Sequence, residues 1–275
     1  MVEAMNRETL RQFSWAVGWI IYFLATAASL VPPVIATVSF SFLSFIMLRE
    51  LLSSSNLRLA DRYSVFWSYL AIPIQYYFSY HSMYYQSFIF IPVIVFMILP
   101  LRTILQHESK GMISAISAIQ WFMMITVFCL SHLVLLLRLS LRGEHSLALL
   151  YLLINVMATD MALQIISFLW KRQVDQFRWW WLLLAGIPAF VCSIVMTHVF
   201  SIVPFSWMQT LLSCGLIVGA CIFGKLVFLA IESDLSNSHG SAALPVDLQL
   251  MNHVSSLPFA ALVFFHLMFY WYGGI

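Results

Sequence analysis

The sequence predicts an all-α polytopic membrane protein of about nine transmembrane helices, built as a single domain over 1–275. Three observations carry that prediction. Hydrophobic residues make up 62% of the chain and charged residues 9%. A soluble domain carries about 25% charge, so too little polar surface exists here to clothe a water-soluble globule. Apolar runs of about 17–25 residues, long enough to cross a hydrocarbon core of about 30 Å, recur along the chain. Of the 13 Lys and Arg residues all but two gather on one side of those runs, as retention of cations in the cytoplasm requires.

The runs lie at about 14–31, 33–48, 63–80, 87–105, 112–137, 146–169, 179–203, 207–231 and 256–272. The first is too long for a secretory signal and follows two acids, and Pro32-Pro33 opens the next run at once, so it is expected to remain as a span. The second ends at Arg49-Glu50, and the third starts after Asp61-Arg62. The fourth closes before His107-Glu108 and the fifth at Arg138. The sixth runs from His145 to Lys171-Arg172, the seventh from a Trp179-Trp180-Trp181 belt, and the eighth up to Glu232. Between the eighth and ninth, the segment 232–255 is rich in Ser, Asn, Asp and His and lacks Lys and Arg, which predicts a polar cytoplasmic loop.

With nine spans, Arg7, Arg11, Arg49, Arg58, Arg62, Arg102, Lys110, Lys171, Arg172, Arg178 and Lys225 fall on one side, and only Arg138 and Arg142 on the other. The N-terminus is therefore expected in the cytoplasm and the C-terminus outside. The cations form no basic stripe, which argues against nucleic acid as a partner. Cys129, Cys192, Cys214 and Cys221 sit in apolar runs without paired spacing and read as small core residues. No metal site is expected. Gly-rich phosphate loops, nucleophile elbows and His-Glu-x-x-His are absent from the sequence. His132, His198 and His266 lie within spans without ligand spacing and read as internally hydrogen-bonded packing residues. Gly215 and Gly219 form a small-xxx-small pair, with Gly224 further along, which reads as helix packing or as a close crossing beside a cavity.

Charge at membrane depth is costly and is usually paired or functional. Asp160 lies about 14 residues into an inward-running span, or ~21 Å, and Lys225 about 18 residues into another, or ~27 Å. The depths differ by about one helical turn, so an Asp160–Lys225 ion pair is the natural inference. The alternative is that Lys225 snorkels to the interface while Asp160 meets a serine or water. Lys171, Arg172 and Arg178 beside the tryptophan run are candidates for gripping an anionic lipid headgroup, or they serve only topology and the aromatic belt.

The C-terminal third carries a more specific pattern. Phe223-Gly224-Lys225, Ala230-Ile231-Glu232-Ser233-Asp234, Leu244-Pro245 and Asn252-His253-Val254-Ser255-Ser256-Leu257 resemble, in order and spacing, the signature region of the phosphatidate cytidylyltransferase (CDP-diacylglycerol synthase) family. Upstream, Ala158-Thr159-Asp160-Met161-Ala162 is similar to that family's Asp-x-x-Ala element, and 42–50, ending in Glu50, to its early acidic span. The resemblance implies a CDP-diacylglycerol synthase-like fold in a bacterial inner (cytoplasmic) membrane. It also implies a site where phosphatidate meets CTP on carboxylate-held Mg2+.

The same overlay removes most of that site. Lys225 stands in place of the family's metal-binding Asp, Leu229 in place of its Ser, and Glu232-Ser233 in place of its Lys-Arg pair. Asn252-His253 and Ser255 replace the closing Asp-Arg and Asp, and only Asp160 and Asp234 keep a carboxylate. Joining two polyanions needs positive charge where the leaving group develops negative charge. Loss of one well-placed group costs on the order of 10²–10³ in rate. The residues Asp160, Lys225, Glu232, Asp234, Asn252, His253 and Ser255 therefore read as a vestigial site. No cofactor is expected, and the partners implied are phosphatidate or another phospholipid and a second membrane enzyme of lipid metabolism. The rival reading is an active cytidylyltransferase using Mg2+ and CTP at a site rebuilt from Asp160, Glu232, Asp234, Asp247 and His253. A transporter would need a polar stripe through the bilayer.

Overall fold

The structure is a computed structural model that describes residues 32–55, 62–105, 112–139, 147–169, 179–200, 205–239 and 254–272. Among the described residues all regular structure is helical. The helices are α1 (Pro33–Ser54), α2 (Arg62–Tyr80), α3 (84–105), α4 (Met112–Arg138), α5 (Leu147–Leu169), α6 (Trp179–Phe200), α7 (Trp207–His239) and α8 (Ser256–Tyr272). Each coincides with one of the apolar runs. The run at 14–31 lies outside the described residues. Four stretches are long and apolar enough to cross a membrane: Pro33–Ser54, Tyr84–Leu101, Met112–Arg138 and Trp207–Leu235. The protein is an integral membrane protein.

One expected boundary is corrected. The loop predicted to begin at Glu232 is helical as far as His239. Nothing between Glu232 and His239 is a Gly or Pro, so nothing stops α7 when the chain turns polar. Gly240 is the first breaker.

α4 is the central rod, buried along most of its length. Its run Leu133–Leu137 is apolar on every side, which suits a helix surrounded by protein. It packs against α1, α2, α5 and α8. α5, α6 and α7 pack on one another, and α8 lies in the angle between α7, α5 and α4. α8 therefore joins the two halves of the bundle.

Two helices contain π-helical turns, Phe90–Val95 in α3 and Met124–Cys129 in α4. The first has a visible cause. Pro92 has no N–H, so a carbonyl one turn earlier loses its donor. Gln75 on α2 supplies the replacement, its Nε2 donating to Ser87 O at 3.0 Å and to Ser131 Oγ at 2.9 Å. Gln120 on α4 likewise donates to Ile91 O at 3.0 Å. α2 passes to α3 through a tight turn in which Ser82 takes a left-handed φ of 55°. Ser82 N–H then reaches Ser79 O at 3.2 Å and Met83 N–H reaches Phe78 O at 2.9 Å, the paired bonds of a Schellman cap.

Candidate functional site

α5 carries the residues around which the candidate site is built. Asp160 sits 14 positions into it and is buried, with 4% of its side chain exposed. Lys225, on α7, brings Nζ to 3.0 Å from Asp160 Oδ1 and keeps 16% of its side chain exposed. The ion pair inferred from equal depth is thus formed. The serine foreseen as the alternative partner is present as well. Ser256 Oγ donates to the same Oδ1 at 2.6 Å. Asp160 takes both contacts together.

Ser256 is the first residue of α8, so the positive end of that helix lies beside the carboxylate and adds to the stabilisation given by the ammonium. Gly224 makes this arrangement possible. A Cβ at that position would stand 2.6 Å from Ser255 O and 2.9 Å from Phe259 Cδ2. Only a glycine lets α7 pass so close to the start of α8. Gly219, by contrast, has nothing within 4 Å of its would-be Cβ, and Gly215 meets only Phe190 at 3.6 Å. The close crossing therefore belongs to Gly224 and not to the small-xxx-small pair.

The remaining sequence candidates divide between those placed and those outside the described residues. Ser255 is buried, and its carbonyl is what Gly224 accommodates. Glu232 is half-buried and Asp234 exposed, about two and two and a half turns beyond Lys225, or roughly 10 Å and roughly 14 Å along α7 at about 1.5 Å per residue. Lys171, Arg172, Arg178, Asp247, Asn252 and His253 lie outside the described residues. Among the described residues no group of three or more His, Cys, Asp or Glu side chains is placed to hold a metal ion. Cys129, Cys214 and Cys221 are buried free thiols and Cys192 is half-buried, as expected of packing residues.

Sequence reasoning overlooked a neutral polar seam that continues from Asp160 along α5. Tyr151, Asn155 and Thr159 repeat every fourth position, on one face of the helix. Asn155 Nδ2 donates to Tyr151 O at 2.9 Å, and Thr159 Oγ1 donates to Asn155 O at 2.8 Å. From α6, Ser193 and Thr197 both donate to Asn155 Oδ1. From α7, Ser213 Oγ lies 2.7 Å from Tyr151 OH. The repeat of polar residues every fourth position within apolar helices was the available signal, since Ser193 and Thr197 show it too.

A groove of about 300 Å³ lies between α1 and α2 and is lined by Thr37, Ser41, Tyr76, Tyr77 and Tyr80, among others. It is close to the end of α4, where Arg138 stacks over the Tyr80 ring at 5.2 Å. None of its lining residues belongs to the Asp160 site.

No family model matches the chain, and no solved structure matches it. An uncharacterized protein of Escherichia coli K12, YnbB, is 28% identical over 271 residues, spanning 95% of this chain and 87% of its own length.

Proposed function

We propose that the chain is a catalytically silent membrane relative of the CDP-diacylglycerol synthase family that holds a phospholipid headgroup at its cytoplasmic end. In this reading nine helices span a bacterial inner membrane, with the N-terminus inside and the C-terminus outside. Lys171, Arg172 and Arg178 grip the lipid phosphate beside the tryptophan belt. A second membrane enzyme of phospholipid metabolism is the protein partner.

The observation that carries the proposal is the Lys225 ammonium, 3.0 Å from Asp160 Oδ1. In the overlay with that family, Lys225 takes the place of a metal-binding carboxylate. An ammonium there satisfies Asp160 without an ion and gives the locality the wrong sign for Mg2+, whose capture depends on clustered oxygen anions. With the metal gone, nothing is left to neutralise the pyrophosphate that CTP would have to release.

The test uses the purified full-length protein in detergent with CTP, phosphatidate and Mg2+. The expected result is no pyrophosphate above a protein-free control, together with phosphatidate retained through size exclusion and detected by mass spectrometry. Mg2+-stimulated pyrophosphate release that disappears in Asp160→Asn would overturn the reading. So would a protein that emerges free of anionic lipid.

A further inference from the structure

A second constellation lies away from Asp160, where α3, α4 and α8 meet. It begins with the π-helical turn Met124–Cys129 in α4. Within that turn the Phe128 carbonyl accepts two side-chain donors, Ser131 Oγ at 2.7 Å and His132 Nδ1 at 2.8 Å. A carbonyl only accepts, so the proton of the neutral His132 ring sits on Nδ1 and Nε2 presents a lone pair. That Nε2 is fully buried and has no hydrogen-bond partner. His266 on α8 repeats the arrangement, its Nδ1 donating to Leu262 O at 2.9 Å, but on an exposed side chain. Each ring turns its Nδ1 edge to its own helix, so each Nε2 edge points away from its own backbone.

The two imidazoles are neighbours, with centroids 5.3 Å apart and planes tilted by 31°. Phe88 stacks on both, at 5.8 Å from His132 and 5.3 Å from His266. Phe265 meets His132 edge-on at 5.3 Å and His266 at 5.5 Å. Both histidines lie six residues before the ends of their helices, Arg138 and Tyr272, hence about 9 Å in from the same face. The wall around them is aromatic and the two nitrogens are its polar feature.

This is the arrangement of imidazoles that bind metals: Nδ1–H donated to a backbone carbonyl fixes the tautomer and aims Nε2 outward. The spacing is consistent with it. With a metal–nitrogen bond of about 2.0 Å and a ring radius of about 1.1 Å, an ion lies a little over 3 Å from each ring centre. For an ion lying on both Nε2 lone pairs, rings 5.3 Å apart subtend roughly 115°, between the tetrahedral and trigonal values. Zn2+ normally asks for three or four protein ligands. Imidazole is a good ligand for copper, and Cu(I), singly charged and content with two or three ligands, is the least costly form to hold at membrane depth.

We propose that His132 and His266 bind copper(I), with a third position open to an external ligand on the exposed His266 side. The site is independent of the Asp160–Lys225 pair and does not rest on the lipid reading.

Full-length protein in detergent, incubated with Cu(I) under ascorbate and challenged with a colorimetric Cu(I) chelator, tests it. The wild type should retain about one more copper ion per chain than His266→Gln, and the affinity of that site should fall at least tenfold in the variant. X-ray absorption should show two nitrogen ligands at about 2.0 Å. His266 is exposed, so His266→Gln should keep the wild-type melting temperature without copper, which separates loss of a ligand from loss of fold. His132→Gln should give the same deficit in copper. A wild type that yields all its copper to the chelator, or a His266→Gln protein that holds as much as the wild type, would overturn the proposal.

Discussion

Lys225→Met is the most informative single change in this chain. It removes the ammonium 3.0 Å from Asp160 Oδ1 and leaves a carboxylate with 4% of its side chain exposed and Ser256 Oγ, at 2.6 Å, as a neutral donor. Breaking a buried ion pair from one side typically costs about 3–5 kcal/mol. Ser256 and the first turn of α8 keep part of the stabilisation of Asp160, so a loss of about 2–4 kcal/mol is expected. The reverse change, Asp160→Asn, is milder. Lys225 keeps 16% of its side chain exposed and its ammonium swings toward the interface, so about 1–2 kcal/mol is expected. The double variant holds no unpaired charge. It should lie close to Asp160→Asn alone, a coupling of roughly 2–4 kcal/mol. Unfolding in mixed detergent micelles, followed by the fluorescence of the 10 tryptophans, gives all four corners of the cycle. If the two single effects simply add, Lys225 and Asp160 do not compensate each other and the argument that the ammonium takes the place of a metal fails.

Other substitutions separate the neighbouring contributions. Gly224→Ala forces a methyl to within 2.6 Å of Ser255 O and should cost about 2 kcal/mol or more. Gly219→Ala, with nothing within 4 Å, should be neutral or slightly stabilising in the same melts. Ser82→Gly should raise stability by up to about 1 kcal/mol by relieving the left-handed φ of 55°, and Ser82→Val should lower it. Gln75→Leu deprives Ser87 O of the donor that compensates for Pro92 and should cost about 1–3 kcal/mol, read as a lower midpoint with an unchanged helical circular-dichroism signal. Mg2+ at millimolar concentration should leave the melting temperature unmoved, since a ligand that binds only the native state must raise it.

Most of the architecture was legible because a bilayer admits few solutions. The apolar runs at 33–48, 112–137 and 256–272 became α1, α4 and α8 with ends moved by a few residues, since hydropathy and helix length are tied together by membrane thickness. The Asp160–Lys225 pair was legible for a related reason. In a membrane, counting residues from a span end gives depth, and two opposite charges at one depth have few other partners. What stayed hidden depended on rotation about the helix axis. Residue counts place Ser256 near the level of Asp160, but they do not show which helix faces which. The π-helical turn at Met124–Cys129 has no Pro or Gly to announce it, whereas the turn at Phe90–Val95 has Pro92. The polar end of α7 was misread as loop because composition changed at Glu232, although no Gly or Pro follows before Gly240 to break the helix.

α5 shows how one helix carries two kinds of polar contact at different depths. The Tyr151–Asn155–Thr159 row is neutral, and its hydrogen bonds run to Ser193, Thr197 and Ser213 on α6 and α7. Such bonds between membrane helices are worth about 0.6 kcal/mol each on average, so the row fixes the register of α5, α6 and α7 more than it stabilises them. One turn on from Asn155, the same helix presents Asp160, where pairing decides several kcal/mol. The helices that must align to bring Lys225 to Asp160 include two of those the neutral row already aligns. Replacing Asn155 by Leu should therefore act beyond its own hydrogen bonds. By loosening the register of α7 on α5, it should shrink the coupling measured between Lys225→Met and Asp160→Asn. An unchanged coupling in the Asn155→Leu background would mean that Gly224 and the start of α8 position Lys225 without help from the seam.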